Sequence, residues 1–413
     1  MVELLQISFL NLIAKLLKFG FELGTSFFVS KETYGEFALI LSYILIFTKI
    51  SSFGIQNIMV RDVPKYSSIK YISYIFFNST ITTLSIGVLL YIALYLFSFE
   101  YIILYPTIFV VYFLNSLTIL YSTYLRSIRE VKLWIYFQDI QIYLIYFSIL
   151  ALLYIIDGSE LNIKSILNIY TLATAVSFTL LMLFIRERKG VTLISKISPE
   201  KIGYIVSQSL PVLFTGLTYL IISRLDIIML ERYIEIDAVG EYNIVARVTL
   251  QVLFFNQVVV SYYYPRVAKK FASKEDFETI ARYNTKFVIL SFTSVLFTTT
   301  LLYLAIVDFN LFDRLNIERK DELFKVFLTL AGTQIIYSAI SFYGNILIYI
   351  GRQRVEYLNN LMVLTLAVVT NIIFIPKYGM VGASIATSIS LLAGNLAQML
   401  QVRHYTNRVF ISI

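Results

Sequence analysis

The chain is expected to fold as an all-α polytopic membrane protein, with twelve transmembrane helices in two pseudo-symmetric six-helix lobes. Three observations lead there. Hydrophobic residues make up 58% and charged residues 15% of 413 positions, against about 45–50% and about 25% in ordinary globular proteins. Mean hydropathy is +0.76, and a soluble fold lacks the interior to hide so much apolar side chain. The apolar residues also fall in runs of about 20, the length that crosses a bilayer.

Breaks rich in charge or turn residues place the first six spans at 7–29, 34–58, 71–98, 101–125, 138–156 and 163–185. The second six fall at 203–230, 238–264, 284–307, 324–350, 357–375 and 379–402. The lobes are then 1–190 and 203–413, joined by a cytoplasmic linker at 191–202. The run after Met1 holds Lys15, Lys18 and Glu22 with no basic segment before it, so it is expected to stay as the first helix rather than be removed as a signal peptide. Trp134 is expected in the connection after helix four, and Asp139 at the interfacial start of helix five.

Lys and Arg favour the cytoplasmic connections. With both termini inside, the inner connections collect 21 of the 34 basic residues and the outer ones eight. The inner set includes Arg61, Lys65, Arg126, Arg129, Arg186, Lys201, Arg266, Lys269, Lys270, Lys274, Arg352 and Arg354. Acidic residues lean outward, among them Asp157, Glu160, Glu231, Glu235 and Asp237. The net charge of +8 is therefore a cytoplasmic-face signature that calls for no nucleic acid.

Composition narrows the chemistry. There is no cysteine and one histidine, His404, so thiolate metal sites, cysteine nucleophiles and histidine relays are not expected. No connection is long enough to hold a soluble domain, and neither a P-loop nor GxGxxG occurs. The sequence predicts no cofactor, no metal and no enzyme.

The chain also resembles itself at half its length. Tyr34-Gly35-Glu36-Phe37 matches Val239-Gly240-Glu241-Tyr242, and Gln56 through Pro64 echoes Gln257 through Pro265. Ile128-Arg129-Glu130-Val131 resembles Gly351-Arg352-Gln353-Arg354-Val355. With six spans per half the repeat is parallel, an arrangement that puts a transporter's site between the halves.

Charges at bilayer depth mark that site, because each costs roughly 2.5–3.5 kcal/mol at the centre of a membrane. Asn11, Lys15, Lys18 and Glu22 form one stripe on helix one. Helix two carries Lys49, helix seven Arg224 and Asp226, and helix eight Arg247 between Asn243 and Gln251. The five bases outnumber Glu22, Asp139 and Asp226, so a cavity built from them suits an anion such as phosphate. Plainer roles stand beside this. Lys18 and Glu22 are spaced to neutralise each other, and Arg224 with Asp226 can snorkel to the interface. Tyr262, Tyr263 and Tyr264 fit an interfacial belt, and Pro211 with Gly216 suggests a hinge in helix seven.

Residues 223–246, from Ser-Arg-Leu-Asp-Ile-Ile-Met-Leu to Val-Gly-Glu-Tyr-Asn-Ile-Val-Ala, resemble the helix seven-to-eight signature of polysaccharide-biosynthesis flippases. These belong to the multidrug/oligosaccharidyl-lipid/polysaccharide superfamily. The stretch from Pro376-Lys377-Tyr378-Gly379 to Thr387 is similar to the family's start of helix twelve, and the Tyr34-Gly35 turn and Arg61 fit as well. The resemblance implies a MATE-like fold with a central cavity. It further implies transfer of a polyprenyl-(pyro)phosphate-linked oligosaccharide across the cell membrane from the cytoplasmic to the outer leaflet. Membrane lipids and other polysaccharide-assembly proteins would be its partners, and Glu22 or Asp226 would couple a proton or sodium ion. A MATE-type drug exporter would call for acidic cavity residues; a polysaccharide polymerase or ligase would call for a large outer loop.

Overall fold

The computed structural model describes residues 2–65, 69–157, 161–189, 196–256, 259–260, 263, 266, 277–340 and 343–406. These residues form helices and turns, with no strand among them. Nine of the described helices are long and apolar enough to cross a membrane. One of the nine, over 354–405, doubles back at Gly379 (φ 54, ψ −129) and contains two expected spans. Two expected spans are not among the nine. The segment at 7–29 carries three charges within its helix, and the one at 238–264 runs into residues outside those described. Lys269, Lys270, Lys274, Tyr262, Tyr264, most of Gln257 through Pro265 and the linker stretch 191–195 also lie outside the described residues.

Contacts divide the chain into two compact units, Met1–Leu220 and Ile221–Ile413. Unit 1 comprises α1 (Val2–Gly24), α2 (Lys31–Ser52), α3 (Ile55–Asp62), α4 (Ile69–Leu96), α5 (Glu100–Leu104) and α6 (Thr107–Ser127). It continues with α7 (Val131–Ile135), a π-helical turn (Tyr136–Ile140), α8 (Gln141–Asp157), α9 (Ile163–Lys189) and nearly all of α10 (Pro199–Ile222). Its core joins α3, α4, α6 and α9 through Met59, Phe76, Leu120, Tyr124 and Leu181. A second, aromatic knot sets Phe21 of α1 against Phe37, Tyr143, Tyr146 and Tyr170 at centroid distances of 4.8–5.7 Å.

The fifth span starts earlier than the hydropathy suggested. Trp134 is helical rather than part of a connection: its indole Nε1 donates to Gln138 Oε1 at 2.7 Å, and the Arg126 guanidinium lies 4.6 Å over its ring. The polar residues Lys132, Gln138 and Asp139 hide the start of the helix in the sequence, while the π turn absorbs the extra residue.

Unit 2 comprises α11 (Leu225–Leu230), α12 (Ile236–Leu250), α13 (Phe277–Val307), α14 (Leu311–Arg314), α15 (Lys320–Ile340), α16 (Tyr343–Tyr349) and α17 (Gln353–Thr406). Phe287, Tyr343, Ile346, Leu347 and Val402 form one of its buried clusters. The hairpin inside α17 explains the Gly379-to-Gly382 spacing. Gly379 takes a left-handed φ, and a Cβ on Gly382 would collide with the carbonyl of Phe374.

The repeat reaches individual hydrogen bonds. At the end of α6, N–H groups of Ile128, Arg129 and Glu130 donate to the carbonyls of Tyr124, Arg126 and Leu125. At the end of α16, those of Ile350, Gly351 and Arg352 donate to Ile346, Ile348 and Leu347 in the same pattern. Both are Schellman-like caps, with Arg129 (φ 68) and Gly351 (φ 78) in the left-handed position. The structural register thus pairs Arg129 with Gly351, one place off the match that side-chain similarity suggests.

Candidate functional site

Helix one presents its stripe unevenly. Lys15 and Lys18 are exposed, whereas Glu22 is buried. Asn11 spends its amide on the Ile7 carbonyl one turn back, at 3.0 Å. Lys18 acts electrostatically on Asp139 in the π turn of the facing helix, a partner other than the Glu22 that the spacing suggested. Glu22 lies beside Tyr170, whose hydroxyl accepts from Asn115 at 3.3 Å. The Tyr34 hydroxyl donates to the Glu22 carbonyl at 2.6 Å and ties the end of α1 to α2. Lys49 extends over α10: a Cβ on Gly216 would lie 2.8 Å from its Nζ.

The unit 2 residues are more closely joined. Arg224 is buried at the break between α10 and α11, with φ −130 and ψ −4 at the cap position. Two residues on, Asp226 accepts from the Ile227 N–H at 2.9 Å and from the Tyr242 hydroxyl at 2.8 Å. Tyr242 is fully buried and also feels the charge of Arg247. Arg247, itself buried, donates Nε to Asn243 Oδ1 at 3.1 Å, and Gln251 Nε2 donates to the Arg247 carbonyl at 3.2 Å. One connected polar patch therefore links Asp226, Tyr242, Asn243, Arg247 and Gln251.

Three groups that the sequence reading did not assign are prominent. Glu241, fully buried, accepts from the backbone N–H groups of Glu318 (2.8 Å) and Arg319 (3.3 Å). Arg319 also pairs with Glu241 at 3.5 Å, Asp237 at 3.0 Å and Glu235 at 3.4 Å. Partial burial opposes charge on Asp237, but hydrogen bonds from Arg319 and from the Ala238 N–H hold its carboxyl below the ordinary 3.8. Partial burial likewise works against the Arg319 guanidinium, yet its carboxylate partners raise it above its ordinary value. The signal for Glu241 was present in the repeat, where it matches Glu36.

The second group is at the end of α3. Arg61 forms a two-point pair with Asp62 (2.9 and 3.2 Å), which raises its affinity for the proton. It reaches α10 as well, at Tyr204 (2.7 Å) and Gln208 (3.2 Å). The third is Asn78, which holds the segment before α10 by donating to the Lys196 carbonyl and accepting from the Ser198 N–H. Clefts of about 510 Å³ beside Tyr74 and Tyr204 in unit 1, and about 250 Å³ beside Glu235 and Arg319 in unit 2, are not lined by the expected charges. No cluster of metal-ligating side chains occurs among the described residues.

Comparison with known proteins places this geometry. An inward-facing MATE-family multidrug resistance transporter of the MOP superfamily superposes with a TM-score of 0.70 at 11% identity, covering 97% of this chain and 94% of that one. The lipid II flippase MurJ in an inward closed conformation gives 0.73 at 14% identity, with 96% and 87% covered. A MOP-superfamily transporter from Pyrococcus furiosus, described as having a binding pocket of reversed polarity, gives 0.61 at 13%, with 98% and 95% covered. At these identities the likeness concerns the fold. No curated protein sequence matches the chain. The family profile described as "Polysaccharide biosynthesis protein" matches residues 4–271. The chain is therefore a multi-pass helical membrane protein with the MATE-like transporter fold, and it belongs to the polysaccharide biosynthesis protein family.

Proposed function

We propose that this protein is a flippase that moves a polyprenyl-(pyro)phosphate-linked oligosaccharide from the cytoplasmic to the outer leaflet of the cell membrane. The observation that carries the reading is a pair of buried arginines, Arg224 and Arg247, in a chain of this family. An arginine at membrane depth is retained where it meets an anion or lines a wet path, and a guanidinium matches the oxygens of a phosphate. The glycan head needs shelter from hydrocarbon, while the polyprenyl tail can stay in lipid. Alternating exposure of one site to the two sides then completes transfer without covalent chemistry.

In this reading the lobes 1–190 and 203–413 move against one another about the 191–202 linker, with both termini cytoplasmic. Lys15, Lys18, Lys49, Arg224 and Arg247 receive the phosphate, and Asn11, Asn243 and Gln251 orient it. Glu22 and Asp226 are the groups available to couple a proton or sodium ion. Several structural neighbours are described as multidrug transporters, but export of cationic drugs is disfavoured for this chain because the buried arginines would repel such cargo.

Purified protein in vesicles should move a fluorescent polyprenyl-diphosphate-linked oligosaccharide between leaflets. Lys18→Gln, Arg224→Gln and Arg247→Gln should each slow that movement while the protein remains folded by circular dichroism. Wild-type rates in all three variants would remove the cavity assignment.

A further inference from the structure

The cleft of about 510 Å³ in unit 1 is built around one asparagine. Asn78 is wholly buried in α4. Its side-chain nitrogen donates to the Tyr74 carbonyl at 2.9 Å and the Lys196 carbonyl at 3.0 Å, and its side-chain oxygen accepts from the Ser198 N–H at 2.9 Å. One side chain therefore fixes both walls, the turn of α4 that bears Tyr74 and the segment that leads into α10. The Ser198 hydroxyl then caps α10 by accepting from the Lys201 N–H at 3.3 Å. Glu200, Lys201 and Tyr204 follow at helical spacing and complete the lining with Tyr74 and Ser198.

Tyr204 is held from behind. Its hydroxyl accepts from Arg61 at 2.7 Å and donates to Asp62 at 3.1 Å, and the Lys201 ammonium lies 4.6 Å over its ring. α10 itself rests on Gly54, where a Cβ would lie 3.1 Å from the Ser209 carbonyl oxygen and the Leu213 nitrogen. The Tyr204 side chain still stays 39% exposed, which leaves apolar ring surface for a guest. Charge is balanced. Arg61 is answered by Asp62, and the lining carries one base, Lys201, against one acid, Glu200. A phosphate finds no surplus attraction there, unlike beside the buried arginines, and meets repulsion from Glu200. An apolar guest would take water from the ammonium, carboxylate and hydroxyls and give no hydrogen bond in return. A neutral sugar suits every group: its hydroxyls donate to a carboxylate and accept from an ammonium, and its C–H face packs on a phenol ring.

We propose that this cleft docks a neutral sugar unit of the oligosaccharide head, apart from the residues that receive the phosphate. It lies at the end of α10 that faces the cytoplasm in the orientation proposed above, the side on which the head is loaded. The proposal deepens the flippase reading and rests on it for the identity of the guest.

Saturation-transfer-difference NMR on the full chain in lipid nanodiscs, free of glycoside detergent, tests this. The neutral probes are glucose, galactose, N-acetylglucosamine and rhamnose, and the anionic ones glucuronate and glycerophosphate, with empty nanodiscs as background. At least one neutral sugar should receive saturation from the protein, and more than either anion does. Lys201→Ala and Tyr74→Ala should each remove most of that signal, with helicity retained by circular dichroism. Glu200→Lys should weaken the sugar signal and raise that of glycerophosphate. The cleft assignment is overturned by no neutral signal from wild type, by a signal that survives all three substitutions, or by an anion that gives the stronger one. Vesicle transfer of the fluorescent polyprenyl-diphosphate-linked oligosaccharide separates the two readings. A protein that binds a neutral sugar in the cleft but moves none of the lipid retains the cleft and overturns the flippase. One that moves the lipid but binds no neutral sugar does the reverse.

Discussion

Units 1 and 2 both tether a short helix-bearing connection to the first turns of a long helix through one glutamate, but with different chemistry. In unit 1 the half-buried Glu36 of α2 accepts one hydrogen bond, from the Tyr105 hydroxyl just after α5, at 2.6 Å. In unit 2 the buried Glu241 of α12 accepts two backbone N–H groups just after α14 and meets a guanidinium that three carboxylates share. A half-exposed carboxylate keeps water as a partner, so one phenol suffices. A fully buried carboxylate needs every lone pair answered. The repeat therefore conserves the position of the anchor, while burial decides how many groups must serve it.

Removing the anchors should separate the two units. Glu241→Ala strands two amides and Arg319, and should cost about 3 kcal/mol, the low end for a broken buried pair because Arg319 keeps Asp237 and some solvent. Thermal unfolding in detergent would read this, and a loss no greater than that of a surface carboxylate would show that the network is not holding the connection. Tyr105→Phe should cost about 1.5 kcal/mol by the same assay, the low end for one hydrogen bond to a charged group, because Glu36 is only half-buried.

The paired caps give a smaller contrast. Arg129→Gly should stabilise unit 1 by up to about 1 kcal/mol, and Gly351→Arg should cost unit 2 a similar amount, since only glycine takes a left-handed φ freely. Equal effects of one sign would break the structural pairing of these residues. The smallest effect is in acid. Asp237 has a folded value below its unfolded one, so its contribution is complete above about pH 4 and fades as pH falls through the folded value. Asp237→Asn should lower thermal stability slightly at neutral pH and change it little in strong acid, which flattens the decline over that acidic window.

Much of this was legible beforehand, and the failures are instructive. Hydropathy located the long helices because a bilayer imposes one length on every span. It missed the start of the fifth, where Trp134, Gln138 and Asp139 satisfy one another or a neighbouring helix instead of marking a loop. Residue chemistry detected the repeat at Glu36 and Glu241 but misjudged the register near Arg129, because the repeated feature there is a backbone conformation that an arginine and a glycine both adopt. The stripe on α1 followed from helical spacing. Its change from exposed lysines to a buried Glu22 did not, because exposure depends on which helices pack alongside.

By itself the sequence determined that the chain is helical, apolar enough to cross a membrane many times, internally duplicated and basic at the ends of its spans. Those properties follow from hydrophobicity, periodicity and charge, which are summed along the chain. Only the tertiary structure decided that Asp226 answers Tyr242, that Glu241 holds the turn at Glu318, and that α10 rests on Gly54. Each of these joins residues distant in sequence, or depends on a missing side chain at a point of close approach, and neither leaves a local pattern to read.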